Sequence, residues 1–332
     1  MSTETPSKTM RAAVYRRFGG PEVVKIEQVE RPKPKPNEVL IRVHASTVSI
    51  ADYRSRTKDL PEGLGFYGPL ALGIFAPRKK VLGMDVAGVV EQIGPAVTRF
   101  AIGDKVLGMR GSRFGCHAEY VVMAEDSTIA LAPKNLALDD AVSLIFGGIT
   151  ARRYLNHVTL KPGMEVLVNG ASGSTGTAFV QLAVAAGAVV TGVSSAANHD
   201  LVRSLGASKV IDYTTEDFTK NSTTYDVIVD CVGNAPFSRV DASIKPGGAL
   251  LLVVGSLGSM LTAKRDSKRS GKLVTMGEGR AGPAAMEYIV SLAEQGQFVP
   301  VIDRRYTLDE ITAAHEYVGT WRKRGNLVLS LV

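Results

Sequence analysis

The middle of the chain holds a glycine-rich turn whose spacing suits the phosphates of a dinucleotide. The run is Gly170-Ala171-Ser172-Gly173-Ser174-Thr175-Gly176, with a glycine at every third position. The first glycine permits a tight turn, the second lets a pyrophosphate approach backbone amides at a helix N-terminus, and the third lets helix and strand pack closely. These seven residues are therefore predicted to bind a dinucleotide, with a merely tight turn as the alternative.

The residues that end the next predicted strand favour NADPH over NADH. A site for NAD places a carboxylate there to bind the ribose 2′-hydroxyl, yet no Asp or Glu occurs between Glu165 and Asp200. Hydroxyl and amide side chains suit a 2′-phosphate instead, and the predicted contacts are Ser194, Ser195 and Asn198. The nearest cations are Arg203 and Lys209, for each of which plain surface charge is the alternative.

The elements that must position these residues alternate between strand-like and helical runs. Predicted strands cover 166–169, 189–193, 209–211, 227–231, 249–254 and 273–276, and helical spacing appears over 177–186 and 200–205. This repetition predicts a doubly wound parallel sheet covered by helices on both faces. Gly255 and Ser256 follow a strand, so they should lie at the carboxyl edge of the sheet, where cofactors bind. A plain turn is the alternative there.

The first part of the chain has a different pattern. Short alternating runs at 11–16, 39–43, 86–93 and 118–123 are separated by Pro and Gly, which predicts antiparallel strands. The segment 62–80 is predicted to be a lid or a local packing patch; its apolar side chains are Phe66, Tyr67, Leu70, Leu72, Ile74 and Phe75.

A new domain is predicted to start near Leu138, where Asp139 is expected to cap a helix. Two further helices are predicted to start near Pro283 and Leu308, and an apolar strand over 327–331 closes the chain.

Composition excludes several classes of protein. The 332 residues include 45% hydrophobic and 21% charged residues, which favours a globular protein of two domains over a disordered or collagen-like chain. The apolar stretch 178–193 is interrupted by Gln181 and Gly187 and is shorter than the roughly 18 to 20 residues that span a bilayer. The first nine residues lack the apolar core of a secretory signal and are expected to form a frayed tail.

The cysteine content and the net charge are compatible with several functions. Cys116 and Cys231 are too few for a disulfide framework, and their separation rules out paired metal-ligand spacing, so a reducing cytoplasm is expected. The formal charge of +7 predicts a solvated basic surface. The alternative is an anionic partner, either a phosphorylated cofactor or nucleic acid, although no RNA-binding motif with interleaved aromatic residues accompanies the basic residues.

Runs found in one superfamily extend over nearly the whole chain. They are Ala12-Ala13-Val14, Gly20-Pro21-Glu22-Val23, Glu38-Val39-Leu40-Ile41-Arg42-Val43, Gly83-Met84-Asp85-Val86-Ala87-Gly88-Val89-Val90, Gly103-Asp104-Lys105-Val106, Val168-Asn169-Gly170-Ala171-Ser172-Gly173, Arg203-Ser204-Leu205-Gly206-Ala207 and Val210-Ile211-Asp212-Tyr213. The chain resembles the medium-chain dehydrogenase/reductase superfamily, and within it the zinc-independent quinone oxidoreductase (zeta-crystallin-like) branch.

The resemblance implies an α/β fold with two domains and an active site in the cleft between them. A GroES-like, β-rich catalytic domain would comprise 1–137 and 283–332, and a Rossmann domain with a doubly wound parallel sheet would comprise 138–282. The zinc enzymes of the superfamily carry a His where Met84 stands and Cys near Ser49 and near Gly147 or Gly148. Because these residues do not bind zinc, no metal is expected.

The resemblance also implies individual site residues. Ser49, Asp52 and Tyr53 resemble the segment that faces the nicotinamide, where the tyrosine would donate a hydrogen bond; packing or surface roles are the alternative. Thr150 resembles a position that lines the nicotinamide pocket, or else bonds its own helix backbone. Further expected cofactor contacts are Tyr213, Gly233, Arg324 and Asn326.

The leading functional hypothesis is a zinc-independent, NADPH-dependent reductase of quinones, enones or related conjugated carbonyl compounds. An NADP-dependent alcohol dehydrogenase or carbonyl reductase is the first alternative. The second is a weakly catalytic NADPH-binding structural or RNA-binding protein, and the glycine spacing argues against a methyltransferase. The expected partner is a small electrophilic carbonyl compound, with no membrane, nucleic acid only as the weaker alternative, and a homodimer or homotetramer in the cytoplasm.

Overall fold

The first half of the chain is built from antiparallel strands. The structure is a computed structural model that describes residues 8–65, 68–277, 279 and 281–332. Its first strands are β1 (Thr9–Tyr15), β2 (Val24–Glu30), β3 (Glu38–Val48), β4 (Asp85–Ile93), β5 (Lys105–Met109), β6 (Tyr120–Ala124) and β7 (Ile129–Leu131). The β1–β2, β3–β4, β3–β6, β4–β5 and β5–β7 pairs are antiparallel, which confirms the predicted pairing.

A parallel sheet follows in the second half. Its strands are β8 (Glu165–Asn169), β9 (Val189–Ser194), β10 (Lys209–Asp212), β11 (Tyr225–Asp230), β12 (Ile244–Leu252) and β13 (Leu273–Thr275). They lie in the order β10-β9-β8-β11-β12-β13, which is the 3-2-1-4-5-6 order of the dinucleotide-binding fold. The order reverses between β8 and β11, and ligands of such sheets bind outside the carboxyl ends of the strands at that point.

The C-terminal strands return to the first sheet. β14 (Ile302–Thr307) pairs with β15 (Asn326–Ser330), and β15 pairs antiparallel with β3. The sheet thereby runs β14-β15-β3-β4-β5-β7, with β6 also paired to β3. The predicted α/β fold with a GroES-like part and a Rossmann-like part is confirmed. The domain limits at 137/138 and 282/283 stay a prediction.

Ten helices within the described residues cover or connect these sheets. They are α1 (Ile50–Thr57), α2 (Gly68–Leu72), α3 (Leu138–Ala141), α4 (Ile145–Leu155), α5 (Ser174–Ala185), α6 (His199–Ser204), α7 (Phe237–Val240), α8 (Leu257–Ser270), α9 (Pro283–Glu294) and α10 (Ile311–Gly319). None of these helices has the length and apolar character needed to cross a bilayer.

The parallel sheet separates two apolar clusters because successive side chains of a strand point to opposite faces. Val166 and Val168 of β8 join the cluster that contains α4, α5 and α9, whereas Leu167 joins the cluster under α7 and α8. Both faces are therefore buried, which explains the continuous apolar runs of these strands.

Several local predictions need correction. Ala137, not Asp139, occupies the N-cap of α3, and Asp139 lies in its first turn, where its carboxylate accepts a hydrogen bond from Ser330. β12 ends at Leu252, two residues earlier than predicted. Thr9 already begins β1, while residues 1–7 of the expected frayed tail lie outside the described residues. Two residues of the segment 62–80, Phe66 and Tyr67, also lie outside them, and α2 forms within it.

Candidate functional site

The glycine-rich turn after β8 is shaped by steric fit at its ends and is open at its centre. Gly170 has φ +81°, where a side chain would be strained, and a Cβ on Gly176 would collide with the Gly170 carbonyl oxygen. A Cβ on Gly173 would meet only that same oxygen, at an ordinary 3.6 Å. Gly173 occupies the N-cap of α5, so the open centre of the turn leads directly to helix amides.

The end of β9 lies against this turn through one amide side chain. Asn198 Nδ2 donates to Ser172 Oγ at 3.2 Å and to Ser195 Oγ at 3.1 Å. The Tyr213 amide donates to the Ser194 carbonyl at 3.4 Å, and the tyrosine ring is exposed. The structure therefore brings together the predicted dinucleotide turn and the predicted 2′-phosphate residues.

Charge around the β9 end is less positive than a phosphate site would favour. Arg203 pairs with Asp200 at 3.4 Å, and Lys209 lies opposite Thr191, at the far end of β10 from Ser194. Asp212, which the sequence analysis did not single out, lies directly opposite Ser194 in the parallel register. Hydrogen bonds from the Thr214 amide and hydroxyl lower the pKa of Asp212 and keep it ionised.

A buried carboxylate holds the loop after β11 beside the glycine-rich turn. Asp230 is fully buried, and its Oδ1 accepts hydrogen bonds from Asn169 Nδ2 and from the amides of Val232 and Gly233, each at 3.0 Å. Its Oδ2 accepts from the Ala235 amide at 2.9 Å. Gly233, a predicted cofactor contact, is thereby fixed next to β8. The sequence contains a clue to Asp230, since it is the carboxylate that ends the strand at the reversal of strand order.

The C-terminal segment closes over the same turn. The Gly325 amide donates to the Ser172 carbonyl at 2.8 Å, and Ser174 Oγ donates to Asn326 Oδ1 at 2.6 Å. The Arg324 amide donates to Asp303 Oδ2 at 2.9 Å, while its side chain is exposed. The predicted contacts at 324 and 326 thus lie beside the glycine-rich turn.

Lys323 is a member of this group that the sequence analysis missed. Its Nζ donates to the Gly325 carbonyl at 2.6 Å. Burial lowers the pKa of Lys323 to about 8, although the charge of Asp303 acts in the opposite direction. In the sequence, Lys323 looks like the neighbouring cations Arg322 and Arg324. It differs from them because the end of the chain folds over the glycine-rich turn.

Gly255 and Ser256 lie between β12 and α8. A Cβ on Gly255 would lie 2.7 Å from the Met276 methyl carbon, which is the far end of a flexible side chain. Ser256 is the N-cap of α8 and accepts from the Ser259 amide at 3.2 Å. It also borders a cavity of about 510 Å³ between α7 and α8, whose polar lining includes Arg265 and Asp266.

Ser49 and Asp52, the first two residues predicted to face the nicotinamide, form hydrogen bonds with each other. Asp52 Oδ2 accepts hydrogen bonds from the Ser49 amide and hydroxyl, both at 2.7 Å, and Oδ1 accepts from the Gly83 amide at 2.8 Å. Asp52 is fully buried, and the pair caps the N-terminus of α1. Asp52 thus positions α1 and the 83 loop, and its catalytic role stays a prediction.

Tyr53 packs against the C-terminal part of the chain, and its role at the nicotinamide stays a prediction. Its ring makes an edge contact with Trp321, at 5.6 Å between centroids, and lies against Gly319 at the end of α10. Tyr53 also borders a cavity of about 460 Å³ together with Arg56 and His315. It packs α1 on α10, and these contacts direct the ring to that side of the helix.

Thr150 keeps a hydroxyl available for a ligand. It is half-buried on α4, and its hydroxyl has no hydrogen-bond partner among the residues that the structure describes, so the alternative, a bond to its own helix backbone, is not formed. One turn earlier, a Cβ on Gly147 would collide with the Ser174 carbonyl oxygen. Thr150 therefore lies on a helix that crosses the first turn of α5 at close range.

The positions that would carry zinc in the resembling enzymes hold no ligating histidine or cysteine. They fall at Met84, near Ser49 and near Gly147 or Gly148. Across the described residues, no group of three His, Cys, Asp or Glu side chains is placed to hold a metal ion.

Comparisons with known proteins match both halves of the chain. Residues 35–134 match the alcohol dehydrogenase GroES-like domain, and residues 205–329 match the family described as zinc-binding dehydrogenase. The chain is 31% identical to human quinone oxidoreductase over 328 residues, which cover 95% of each protein. It is 30% identical to 2-methylene-furan-3-one reductase of Solanum lycopersicum over 344 residues, which cover 99% of this chain and 80% of the relative.

A solved structure shares the whole architecture. The quinone oxidoreductase from Coxiella burnetii superposes with a TM-score of 0.83 at 30% identity. The superposition covers 98% of this chain and 100% of that one.

Proposed function

Because the chain belongs to the medium-chain dehydrogenase/reductase superfamily, we propose that it is an NADPH-dependent reductase of conjugated carbonyl compounds, that is, enones or quinones. Two relatives with these activities in their names, the human and the tomato protein, support the substrate class. The predicted homodimer or homotetramer and the predicted cytoplasmic location stay part of this proposal.

The observation that carries the proposal is the set of donors at the site. The positions of the zinc ligands in the resembling enzymes fall at Met84, near Ser49 and near Gly147 or Gly148, and the Thr150 hydroxyl has no partner among the described residues. Reduction of an isolated ketone places charge on one oxygen, which a metal ion usually stabilises. A conjugated acceptor spreads the developing charge to a remote oxygen, so ordinary hydrogen-bond donors suffice.

The glycine-rich turn fits a dinucleotide because there is space for a phosphate at Gly173, in its centre, whereas its two ends are closely packed. Gly173 faces open space at the start of α5, so the turn would hold the pyrophosphate, and Ser195 and Asn198 would hold the ribose end. When bound, NADPH supplies a hydride from its nicotinamide. The hydroxyls and amides around Ser195 favour the 2′-phosphate, whereas Asp212 opposes it, so the proposed preference for NADPH is moderate.

The residues of the chain would act as binding, positioning and donor groups. The Thr150 hydroxyl would donate a hydrogen bond to the acceptor oxygen of the substrate, and Asp52 would hold α1 in place through Ser49 and the Gly83 amide. Asp230 fixes the loop at Gly233 beside the turn.

Oxidation of NADPH, followed at 340 nm in EDTA, tests the proposal. Quinones, an alkenal, an enone and a saturated ketone are offered side by side, with NADH as the second cofactor. We expect turnover of the conjugated acceptors alone and a preference for NADPH. Loss of all turnover in EDTA with recovery on adding zinc, or oxidation of a saturated alcohol at a comparable rate, would contradict it. Binding of NADPH with no turnover of any acceptor would favour a non-catalytic protein.

Two glycine variants separate cofactor binding from folding. Gly173→Ala adds a methyl group at ordinary contact distance, so the thermal midpoint should stay near that of the wild type while the KM for NADPH rises at least about tenfold. Gly176→Ala collides with the turn itself and should lower the thermal midpoint. An unchanged KM in Gly173→Ala would exclude this turn as the pyrophosphate site.

A further inference from the structure

Five large apolar side chains are exposed on two segments, the one that contains α2 and the helix α8. Phe75 is 93% exposed, Leu70 64% and Ile74 63% on the first segment, and Leu261 is 75% and Met260 49% exposed on α8. We call these five residues the apolar rim. Large apolar side chains exposed on neighbouring segments indicate an interaction site.

Contacts hold the two segments of the rim together. The Leu257 amide at the start of α8 donates to the Glu62 carbonyl at 2.9 Å. Gly63 lies so close to Leu257 that a Cβ there would come within 2.8 Å of the leucine Cβ. Leu60 in turn packs over Gly68, the first residue of α2. Leu261 follows Leu257 by one helical turn, so the exposed face of α8 continues the first segment.

Cations outnumber acids in the segments that carry the rim, with the exposed Glu62 at their edge and Lys272 already paired with Asp241. Segments 63–84 and 256–276 together contain eight Lys and Arg and a single acidic residue, a surplus equal to the net charge of +7 of the whole chain. The one acid, Asp266, is buried. The basic residues are Arg78, Lys79, Lys80, Lys264, Arg265, Lys268, Arg269 and Lys272.

The apolar and basic residues of α8 share one face. Lys264, Arg265 and Lys268 follow Leu261 at intervals of three, four and seven residues, which places them on the same exposed stripe. Ala263 and Asp266 form the buried face. The helix therefore presents apolar side chains from its first half and cations from its second half on one outward surface.

We propose that the apolar rim docks this protein on the surface of an anionic lipid bilayer. Phe75, Leu261 and their apolar neighbours insert at the boundary between headgroups and acyl chains, while the surrounding cations neutralise lipid phosphates. This is peripheral binding, so it does not conflict with the lack of a spanning helix among the described residues. It departs from the prediction of no membrane partner, which was argued from spanning segments.

Charge favours a bilayer over a second copy of the chain as the occupant. A two-fold symmetric contact through the rim would bring the same patch of each copy together and place the two sets of cations against one another. Like charges at a contact oppose association. An anionic surface instead offers both an apolar layer and the complementary charge. The proposal needs no catalytic activity and stands independently of the proposed function.

Sedimentation with vesicles tests the proposal on the full chain. One vesicle type contains phosphatidylcholine alone, and the other contains roughly equal parts of phosphatidylcholine and phosphatidylglycerol. We expect binding to the second type, at least about tenfold weaker binding to the first, and loss of binding at high salt because salt screens the charges. Absence of binding to phosphatidylglycerol vesicles, or equal binding to both types, would overturn the proposal.

Substitutions in the rim test whether it is the part of the protein that binds the vesicles. Phe75→Asp and Leu261→Asp should each weaken binding to anionic vesicles at least about tenfold, whereas Ile102→Asp, at a side chain 66% exposed outside the rim, should not. Lys264→Glu with Lys268→Glu should weaken it similarly, with the exposed pair Lys25→Glu and Lys33→Glu as the control. Thermal midpoints confirm that each variant is folded.

Sedimentation velocity without lipid tests whether a second copy of the chain, rather than a bilayer, covers the rim. Phe75→Asp could convert an oligomer to a smaller species while the wild-type protein does not bind vesicles. In that case the rim is a contact between copies of the chain, and the bilayer proposal is wrong. Equal vesicle binding by the rim variants and the wild type would place any membrane contact elsewhere and overturn it as well.

Discussion

Ser174 Oγ donates a hydrogen bond to Asn326 Oδ1 at 2.6 Å, and both side chains are buried. Ser174 is the first residue of α5, and Asn326 is the first residue of β15, which belongs to the other sheet. Asn326 also donates from its amide and its side chain to the Val301 carbonyl, at 2.9 and 3.1 Å. One asparagine therefore ties the end of the chain to the first turn of the dinucleotide helix.

Asn326→Ala should lower both stability and cofactor affinity. The change leaves the buried Ser174 hydroxyl without its acceptor, so the free energy of unfolding in urea should fall by about 1 to 3 kcal/mol. The KM for NADPH should rise several-fold because the glycine-rich turn loses a support. Ser330→Ala is the control, since it removes the 2.7 Å bond to Asp139 from the other end of the same strand. If both variants raise the KM equally, the Asn326 contact has no special role at the cofactor site.

Ser195→Asp should reverse the cofactor preference. A carboxylate at the end of β9 repels the 2′-phosphate and accepts a hydrogen bond from a ribose 2′-hydroxyl. The ratio of kcat/KM for NADPH to that for NADH should fall at least about tenfold, which corresponds to about 1.4 kcal/mol. A ratio that does not change would place the 2′ position of the cofactor away from Ser195.

Asp212→Asn should move the same ratio in the opposite direction. The ionised carboxylate opposite Ser194 repels a 2′-phosphate, so its removal should favour NADPH by a few-fold. Asp217→Asn is the control, because that carboxylate binds Thr219 and Arg239, away from the β9 end. Steady-state kinetics with both cofactors provides the measurement. A shift toward NADH in Asp212→Asn would show that Asp212 contributes to ribose binding.

The parallel sheet was predictable from sequence because its strands are buried on both faces. Val166, Leu167 and Val168 form an uninterrupted apolar run, and helical spacing follows the glycine-rich turn. The return of the chain end was not predictable from local pattern. Leu327 pairs with Val48 through contacts between segments at opposite ends of the sequence, so no periodicity indicates it.

The sequence predicted those residues of the site whose position follows from the end of a strand or the start of a helix. It did not predict those whose position depends on packing between distant elements. Ser195, Asn198 and the glycine-rich turn follow strands, and strand ends meet at one edge of the sheet. Asp52 lies three residues after a serine that precedes a helix, a spacing typical of a helix cap, and the structure shows that role. Tyr53 depends on which side of α1 packs against α10, which is decided by tertiary packing.

Asp85→Asn should remove a pH dependence of stability. Burial raises the pKa of Asp85 to about 8, and the Thr47 hydroxyl donates a hydrogen bond to it at 2.6 Å. Because the folded pKa lies above the unfolded value of 3.8, the folded state binds the proton more tightly. The free energy of unfolding should therefore fall as pH rises from about 4 to 8, by on the order of a few kcal/mol. Urea titrations across this range should show a flatter profile for the variant; identical profiles would show that Asp85 is ionised in the folded protein.

Lys323→Met should remove a pH dependence of the opposite sign. Burial lowers the pKa of Lys323 from 10.5 to about 8, so between these values the unfolded state binds more protons than the folded state. The free energy of unfolding of the wild type should gain a positive contribution as pH rises from 8 to 10.5, and the variant should lack it. Lys209→Met, at an exposed lysine, is the control for loss of one charge. The neutral methionine also loses the 2.6 Å bond to Gly325, whose amide binds Ser172, so the KM for NADPH should rise in the same variant. A rise in KM without a change in the pH profile would mean that Lys323 supports the turn while its ammonium group stays in contact with water.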